Sequence, residues 1–146
     1  MEQANKLKIA IAGYGQEGEA SYEYWNKLGA DITIFDESIP DRTVPEGVKT
    51  YFSADAFSQM NDFDFIIRTP SLSPVKIQSN SKVWSATNEF FMQCPAPIIG
   101  ATGTKGKGTT ASLIAAILRE SGKQVHLVGN IGKPALSELE HIQAED

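Results

Sequence analysis

The sequence predicts an α/β fold built on parallel sheets, in two successive domains. Runs of apolar, β-branched residues alternate with segments of helical periodicity, which is typical of parallel strands joined by crossover helices. Two glycine-rich turns, at 13–18 and 103–108, each lie between a predicted strand and a predicted helix. Between them, the segment CPAP at 94–97 contains two prolines and cannot continue a helix. We therefore expect one domain over 1–95 and the beginning of a second over 96–146.

The elements of the first domain follow from its apolar runs and the residues that interrupt them. KLKIAIAG (6–13) is a predicted strand that ends at glycine, and residues 17–29 are a predicted helix that Gly29 closes. Four more strands are predicted at DITIFDE (31–37), VKTYF (48–52), FDFIIRTP (63–70) and KVWSAT (82–87), with a short helical turn in 71–80 and a helix at 88–94.

The second domain repeats the strand–turn–helix pattern but is short. We expect a strand at PIIGAT (97–102), a helix that ends near Ser121, a strand at QVHLVGN (124–130) and the start of another helix in 137–146. Two strands cannot bury both faces of a sheet. This part of the sequence is therefore predicted to be an incomplete domain.

Composition excludes several classes of protein. The chain is 41% hydrophobic and 21% charged, which is typical of a globular protein, and its formal charge of −5 argues against a nucleic-acid or anionic-membrane surface. The single cysteine, Cys94, forms no intrachain disulfide and fits a reducing compartment. The N-terminal apolar run is too short for a secretory signal, and no segment reaches the roughly 20 apolar residues of a membrane span. We expect a cytoplasmic protein.

The first glycine turn predicts a nucleotide site. Gly13, Gly15 and Gly18 form a G-x-G-x-x-G pattern between a strand and a helix, where the helix N-terminus offers unpaired N–H groups to an anion. Asp36 ends the next strand, where its carboxylate can accept hydrogen bonds from ribose hydroxyls. In the alternative interpretation, the glycines only allow close packing of helix and sheet, and Asp36 caps a turn. Glu17 is poorly suited to lie beside a phosphate, which argues against a plain NAD site.

The second glycine turn predicts a phosphate site that departs from a strict P-loop. Lys107 follows Gly106 as in the motif, but Ala101 replaces its first glycine and Gly108 stands in the hydroxyl position, ahead of Thr109. Lysines at a helix N-terminus oppose the helix dipole unless an anion is present, so a purely structural turn does not account for them. The residues predicted to bind a polyphosphate are Gly103, Thr104, Lys105, Gly106, Lys107, Gly108 and Thr109.

Segment 101–136 resembles the ATP-binding segment of the Mur ligases, whose loop typically reads T-G-T-N-G-K-[ST]-T. Lys105 stands where that family usually has asparagine or histidine, and Gly108 where it has serine or threonine. The spelling GKGTT is closer to the folylpolyglutamate synthetases, which share the ATPase domain.

Two features favour the Mur branch that adds D-glutamate. GNIGKPAL (129–136) is similar to a G-N-I-G segment of that branch, and folate ligases do not begin with a glycine-fingerprint domain. IIRTPSLSP (66–74) also resembles its S-P-G-[IV]-P loop, with Ser71 in the glycine position. The resemblance covers nearly the whole chain and is strongest over 97–136.

The resemblance implies a Rossmann-like first domain that holds the UDP part of UDP-N-acetylmuramoyl-L-alanine, followed by the start of a P-loop ATPase domain. The implied reaction of peptidoglycan biosynthesis uses ATP and Mg²⁺ to make an acyl phosphate, which the amine of D-glutamate attacks. It further implies a monomer, Thr109 as a Mg²⁺ ligand, and no catalytic residue or turnover within this part alone. The implied contacts of the UDP-containing substrate are Gly15, Gln16, Glu17, Asp36, Glu37, Ser38, Ser71 and Asn130.

Two alternatives stay open from the sequence. The chain could be a non-catalytic module that binds NAD or UDP, since the first glycine turn and Asp36 serve that function equally well. It could also belong to a ligase of the folylpolyglutamate synthetase type or of another Mur branch, as GKGTT indicates. Only a ligase accounts for Lys107 and GNIG together.

Overall fold

The computed structural model describes residues 6–146, which divide into two compact units. The first unit ends at Asn88 and the second covers Glu89–Asp146. The predicted domain boundary after residue 95 stays a prediction. The strands of the described part are β1 (Lys8–Ala12), β2 (Asp31–Asp36), β3 (Lys49–Phe52), β4 (Phe65–Arg68) and β5 (Lys82–Trp84), and its α-helices are α1 (Gln16–Lys27), α2 (Ala86–Gln93), α3 (Lys107–Glu120) and α4 (Ala135–Glu138).

The five strands form one parallel sheet in the order β3-β2-β1-β4-β5. Strand β1 lies at its centre, where Ile9 pairs with Ile32 of β2 on one side and with Phe65 of β4 on the other. This order, in which the chain starts in the middle and extends to both edges, is that of a Rossmann-type half-sheet. The predicted α/β, Rossmann-like fold of the first domain is confirmed.

The alternation of side chains along β1 divides the core between the two faces of the sheet. Ile9 and Ile11 belong to a cluster that also contains Trp25 of α1, whereas Ala10 and Ala12 belong to a second cluster. These four side chains of β1 are completely buried, whereas Lys8 at its start is exposed. The second cluster is completed mainly by Phe35 and by residues between β3 and β5, namely Ala56, Phe57, Met60, Ile66 and Leu72.

Helix α1 begins and ends as its sequence predicts. Gly15 is its N-cap, and the acids Glu17 and Glu19 occupy its first turn, where negative charge complements the helix dipole. Lys27 lies in its last turn, and Gly29 follows with a φ of 78°, a left-handed conformation that terminates helices. The helix therefore leaves its first N–H groups beside the carboxyl ends of β1 and β2.

The second unit contains the predicted long helix, but its two predicted strands are wrong. Residues 97–102 and 124–130 are not in strands, and the bridge between Val128 and Lys133 is isolated. A strand needs a neighbour that pairs its N–H and C=O groups, and the two apolar runs do not pair with each other. The predicted start of a P-loop domain stays a prediction, since helix α3 follows the glycine turn but residues 97–102 before it are not in a strand.

Apolar side chains remain exposed in the second unit. Leu113 and Ile117, one turn apart on α3, are 59% and 68% exposed, and Ile99 is 61% exposed.

His126 of the second unit contacts two carboxylates, with Nε2 3.0 Å from Asp146 Oδ2 and Nδ1 3.4 Å from Glu138 Oε2.

Across residues 6–146, we find no helix that combines the length and apolarity required to cross a membrane.

Candidate functional site

A cavity of about 310 Å³ lies at the carboxyl ends of β1 and β2, next to the start of α1. In open parallel sheets the carboxyl ends of the strands are the usual location of ligands. The strand order reverses between β1 and β4, and this cavity lies on the β2 side of β1. The cavity is lined by Tyr14, Gly15, Asp36, Ser38, Ile39, Pro40, Asp41 and Arg42.

The three glycines of the first turn have different physical roles. A Cβ on Gly13 would overlap the hydroxyl of Thr69, and a Cβ on Gly18 would overlap the carbonyl oxygen of Gly13. Gly13 also has a φ of 94°, which favours glycine. By contrast, a Cβ on Gly15 would meet nothing within 4 Å. Packing thus accounts for Gly13 and Gly18, while the open space at Gly15 admits close approach of a ligand to the backbone.

The start of α1 provides unpaired donors beside this cavity. Gly15 caps the helix without a side-chain hydrogen bond, so its first N–H groups receive no side-chain acceptor. Glu17 is half-buried in the same turn, and burial raises the pKa of its carboxyl group. An anion that approaches from the cavity meets the positive end of the helix dipole at Gly15.

Asp36 is fixed by the glycine turn itself. Its Oδ2 accepts a 2.7 Å hydrogen bond from the backbone N–H of Tyr14, and Gly13 N donates to Phe35 O at 2.8 Å. The turn therefore holds one carboxylate oxygen of Asp36, which lines the cavity. The interpretation of Asp36 as a residue that stabilises the turn is confirmed, and its contact with a ribose stays a prediction.

Tyr14 is 2% exposed, and burial, followed by the charge of Glu19, raises its pKa to about 12. Because unfolding would return the phenol to its ordinary pKa near 10, the unfolded chain releases its proton first as the pH rises. Stability is therefore lost between pH 10 and 12, by at most about 1.4 kcal/mol per pH unit. We expect Tyr14→Phe to match the wild type in urea denaturation at pH 7 and to lose less stability than the wild type between pH 10 and 12. Parallel losses would contradict the buried phenol.

Two ion pairs lie at the rim of this edge. Arg42 pairs with Glu19 of α1 through Nη1 and Oε2, and Lys76 Nζ lies 2.6 Å from Glu37 Oε1. The second pair connects the segment after β4 to the segment after β2. Both pairs are partly exposed to solvent, so each contributes little to stability.

The loop after β4 is held in place by its own first residues. Thr69 Oγ1 donates to Ala12 O at 3.0 Å, and Thr69 N donates to the same oxygen at 3.1 Å. Arg68 Nη1 donates to Leu72 O at 2.5 Å and to Thr69 O at 3.3 Å. The loop is thereby joined to the end of β1, and Ser71 lies exposed at its turn.

The structure brings together part of the predicted substrate set. Gly15, Asp36 and Ser38 line the cavity, whereas Gln16, Glu17, Glu37 and Ser71 do not. Asn130 lies exposed in the second unit. Sequence reasoning missed five lining residues. Four of them follow directly after the Asp36 strand end, and that position was a usable signal: Ile39, Pro40, Asp41 and Arg42. The fifth, Tyr14, lies within the first glycine turn.

The second glycine turn retains the features that an anion requires. Gly106 is the N-cap of α3 with a φ of 74° and no side-chain cap, and Lys107 is the first helical residue. The first turn contains no acid, although acids are favoured there, and both Lys105 and Lys107 are exposed. Among residues 6–146 no ion pair of either lysine is found. These residues fit a phosphate group better than they fit an isolated helix start.

In this turn Gly108 stands at the position where a strict P-loop has serine or threonine. A Cβ on Gly108 would overlap Cδ1 of Ile131, and Thr109 is exposed in the first turn of α3. Within the described residues, no cluster of three or more histidine, cysteine or acidic side chains is placed to hold a metal ion. The hydroxyl of Thr109 fits Mg²⁺ only as one ligand beside phosphate oxygens and water.

Comparison with known proteins finds sequence relatives that share one name. No protein-family model matches the chain. UDP-N-acetylmuramoylalanine–D-glutamate ligases are 35% identical over 152 residues in Clostridium kluyveri, 34% over 153 in Clostridium acetobutylicum and 34% over 152 in Acetivibrio thermocellus. Each match covers 95% of this chain and 33% of the relative.

Among solved structures, an NADPH-dependent glyoxylate/hydroxypyruvate reductase from Sinorhizobium meliloti gives a TM-score of 0.42 at 14% identity, over 82% of this chain and 54% of that one. The sequence relatives confirm the resemblance to the Mur ligases that the sequence predicts from Lys107 and the GNIG segment. The chain is a homologue of the UDP-N-acetylmuramoylalanine–D-glutamate ligases of the Mur ligase family and spans about a third of their length.

Proposed function

We propose that this chain is the N-terminal part of a cytoplasmic, ATP-dependent ligase that adds D-glutamate to UDP-N-acetylmuramoyl-L-alanine, and that its first unit binds the UDP group. The observation that carries the proposal is the cavity where the uncapped start of α1 meets Asp36 at the end of β2. Such a site offers donors to a diphosphate and an oriented acceptor to a ribose. The names of the sequence relatives support the choice of ligand.

Each part of a nucleoside diphosphate has a proposed partner in this unit. The diphosphate lies against the backbone at Gly15, where no side chain blocks its approach. The ribose hydroxyls donate to the carboxylate oxygen of Asp36 that Tyr14 does not hold. Ser38, two residues beyond Asp36, lines the same cavity and is proposed to face the uracil end.

The turn at the start of α3 is proposed to hold ATP. Lys107 and the N–H groups of the turn neutralise and orient the β- and γ-phosphates, so that the γ-phosphoryl group can pass to the substrate carboxylate. The resulting acyl phosphate is attacked by the amine of D-glutamate, and inorganic phosphate leaves as the amide forms. Mg²⁺, when bound, would balance phosphate charge, with Thr109 as one of its ligands.

The NAD-binding module is the second candidate, because the G-x-G-x-x-G turn and Asp36 also suit a dinucleotide. Glu17 in the first turn of α1 places a half-buried carboxylate near the expected diphosphate. A dinucleotide and a UDP group both contain a diphosphate, so this carboxylate opposes both ligands, and the names of the sequence relatives favour the UDP group. A ligase of the folate type would require a folate site, for which the described residues provide no particular feature.

The test is a comparison of ligands by isothermal titration calorimetry with the 146-residue chain. We expect UDP-N-acetylmuramoyl-L-alanine and UDP to bind with similar affinity, because the UDP group supplies most contacts, and NAD and a folate to bind at least roughly tenfold more weakly. Asp36→Asn, which retains the side-chain shape, should weaken UDP binding. NAD binding tighter than UDP binding would contradict the proposal in favour of the dinucleotide module.

A further inference from the structure

The cavity next to α1 has a charge balance that an anionic ligand must overcome. Its lining contains two carboxylates, Asp36 and Asp41, and a single cationic side chain, Arg42. The first turn of α1 adds Glu17 and Glu19 nearby. Without Arg42, a diphosphate in this cavity would meet backbone N–H groups and several carboxylates. The negative charge of these carboxylates opposes the binding of a diphosphate.

Arg42 is located where it can compensate for this charge. Its guanidinium pairs with Glu19, which lies in the first turn of α1, so the cation reaches the helix start from the loop after β2. The side chain is 40% exposed and is therefore free to contact solutes in the cavity. Its planar fork of donors matches adjacent phosphate oxygens, which a lysine does not do in the same way.

We infer that Arg42 is a binding residue for the diphosphate of the ligand, and that Glu19 holds its guanidinium at the mouth of the cavity. This inference rests on the proposed function, since it assigns the charge recognition of the same site. On binding, the guanidinium exchanges the Glu19 carboxylate for phosphate oxygens. Neither the glycine pattern nor the family resemblance points to this residue. The pattern covers 13–18, and the contacts that the resemblance implies in the loop after β2 end at Ser38.

The experiment measures the binding of UDP and of uridine, which lacks the diphosphate, to the 146-residue chain and its variants. We expect Arg42→Ala to weaken UDP binding roughly 10- to 30-fold and to change uridine binding less than about twofold. Arg42→Lys should recover part of the loss, since it restores charge without the fork. Ligand-observed NMR gives the affinity of the weaker uridine complex.

The matched control is Lys49→Ala. Lys49 also pairs with an acid, Asp31, at 3.3 Å, but Asp31 begins β2 whereas Asp36 ends it. The pair is thus about 17 Å of strand away from the cavity, and its loss should change UDP binding less than about twofold. Equal losses for Lys49→Ala and Arg42→Ala would show a general charge effect and overturn the inference.

Glu19→Gln separates a binding role from a structural one. If Arg42 binds the diphosphate, removal of the competing carboxylate should strengthen UDP binding about two- to fivefold. If the ion pair only holds the loop, both Arg42→Ala and Glu19→Gln should weaken UDP and uridine alike, which would overturn the inference. A wild-type chain that binds no UDP refutes the proposed function itself, and normal UDP binding by Arg42→Ala refutes only the role of Arg42.

Discussion

Gly18→Ala is expected to destabilise the first unit by about 2–4 kcal/mol, although alanine is the better helix former. A Cβ at this position overlaps the carbonyl oxygen and carbon of Gly13. Gly13 cannot yield, because its N–H is bonded to Phe35 O at 2.8 Å and its Cα faces Thr69. Relief of the overlap would require α1 to move away from the sheet and from its buried contacts through Trp25. Urea denaturation followed by circular dichroism measures the difference.

Gly15→Ala is the matched control for Gly18→Ala. It adds the same methyl group three residues earlier, where a Cβ meets nothing within 4 Å and φ is −87°. Its cost should not exceed about 1 kcal/mol, which arises because alanine is a poorer N-cap than glycine. If the two variants were equally stable, close packing would not explain the third glycine of the pattern.

Lys107→Ala, in a ligase of the relatives' full length that contains these residues, is expected to weaken ATP binding by roughly 100-fold or more and to abolish amide formation. Lys107 is the first residue of α3, and the first turn contains no acid that would account for a cation there. Phosphoryl transfer depends on charge neutralisation, so loss of this ammonium removes a principal interaction with the β- and γ-phosphates. Equilibrium binding of ATP and release of inorganic phosphate measure the two effects.

Lys123→Ala controls for the lost charge in this experiment, because Lys123 lies beyond the other end of α3 and is also exposed. A second readout separates function from folding. Without ATP, removal of a cation from a helix N-terminus should leave stability unchanged or raise it by about 0.3–1 kcal/mol. Unchanged ATP affinity in Lys107→Ala would refute the assignment of the turn.

The sheet could be predicted because its information is local. Strand β1 alternates over two apolar faces, Gly29 ends α1, and Pro70 follows β4, so each element is marked by its own residues. The strands expected around the second glycine turn have the same local composition. They do not form because a parallel strand also requires a hydrogen-bonding neighbour, which a run of apolar residues does not itself specify.

The sequence predicts the residues of the candidate site at the glycine turn and the strand end, but not the side chains at the rim of the cavity. Gly15 and Asp36 follow from the spacing of a turn and a strand end, which fixes where the chain meets the sheet edge. Arg42 depends on how the loop after β2 folds back towards Glu19 on α1, 23 residues earlier. Such a contact has no periodicity in sequence, so only the folded chain reveals it. The hydrogen bond from Tyr14 N to Asp36 is hidden for the same reason.

Hydrogen bonds connect the carboxyl ends of three neighbouring strands of the sheet, β2, β1 and β4. They run from Gly13 to Phe35, from Tyr14 to Asp36 and from Thr69 to Ala12. Conformational entropy at this edge is therefore lost when the chain folds and not when a nucleotide arrives. A site prepared in this way is expected to have the same backbone shape with and without a ligand. Differences in affinity among nucleotides should then arise from the atoms that each ligand presents, and only slightly from rearrangement of the protein.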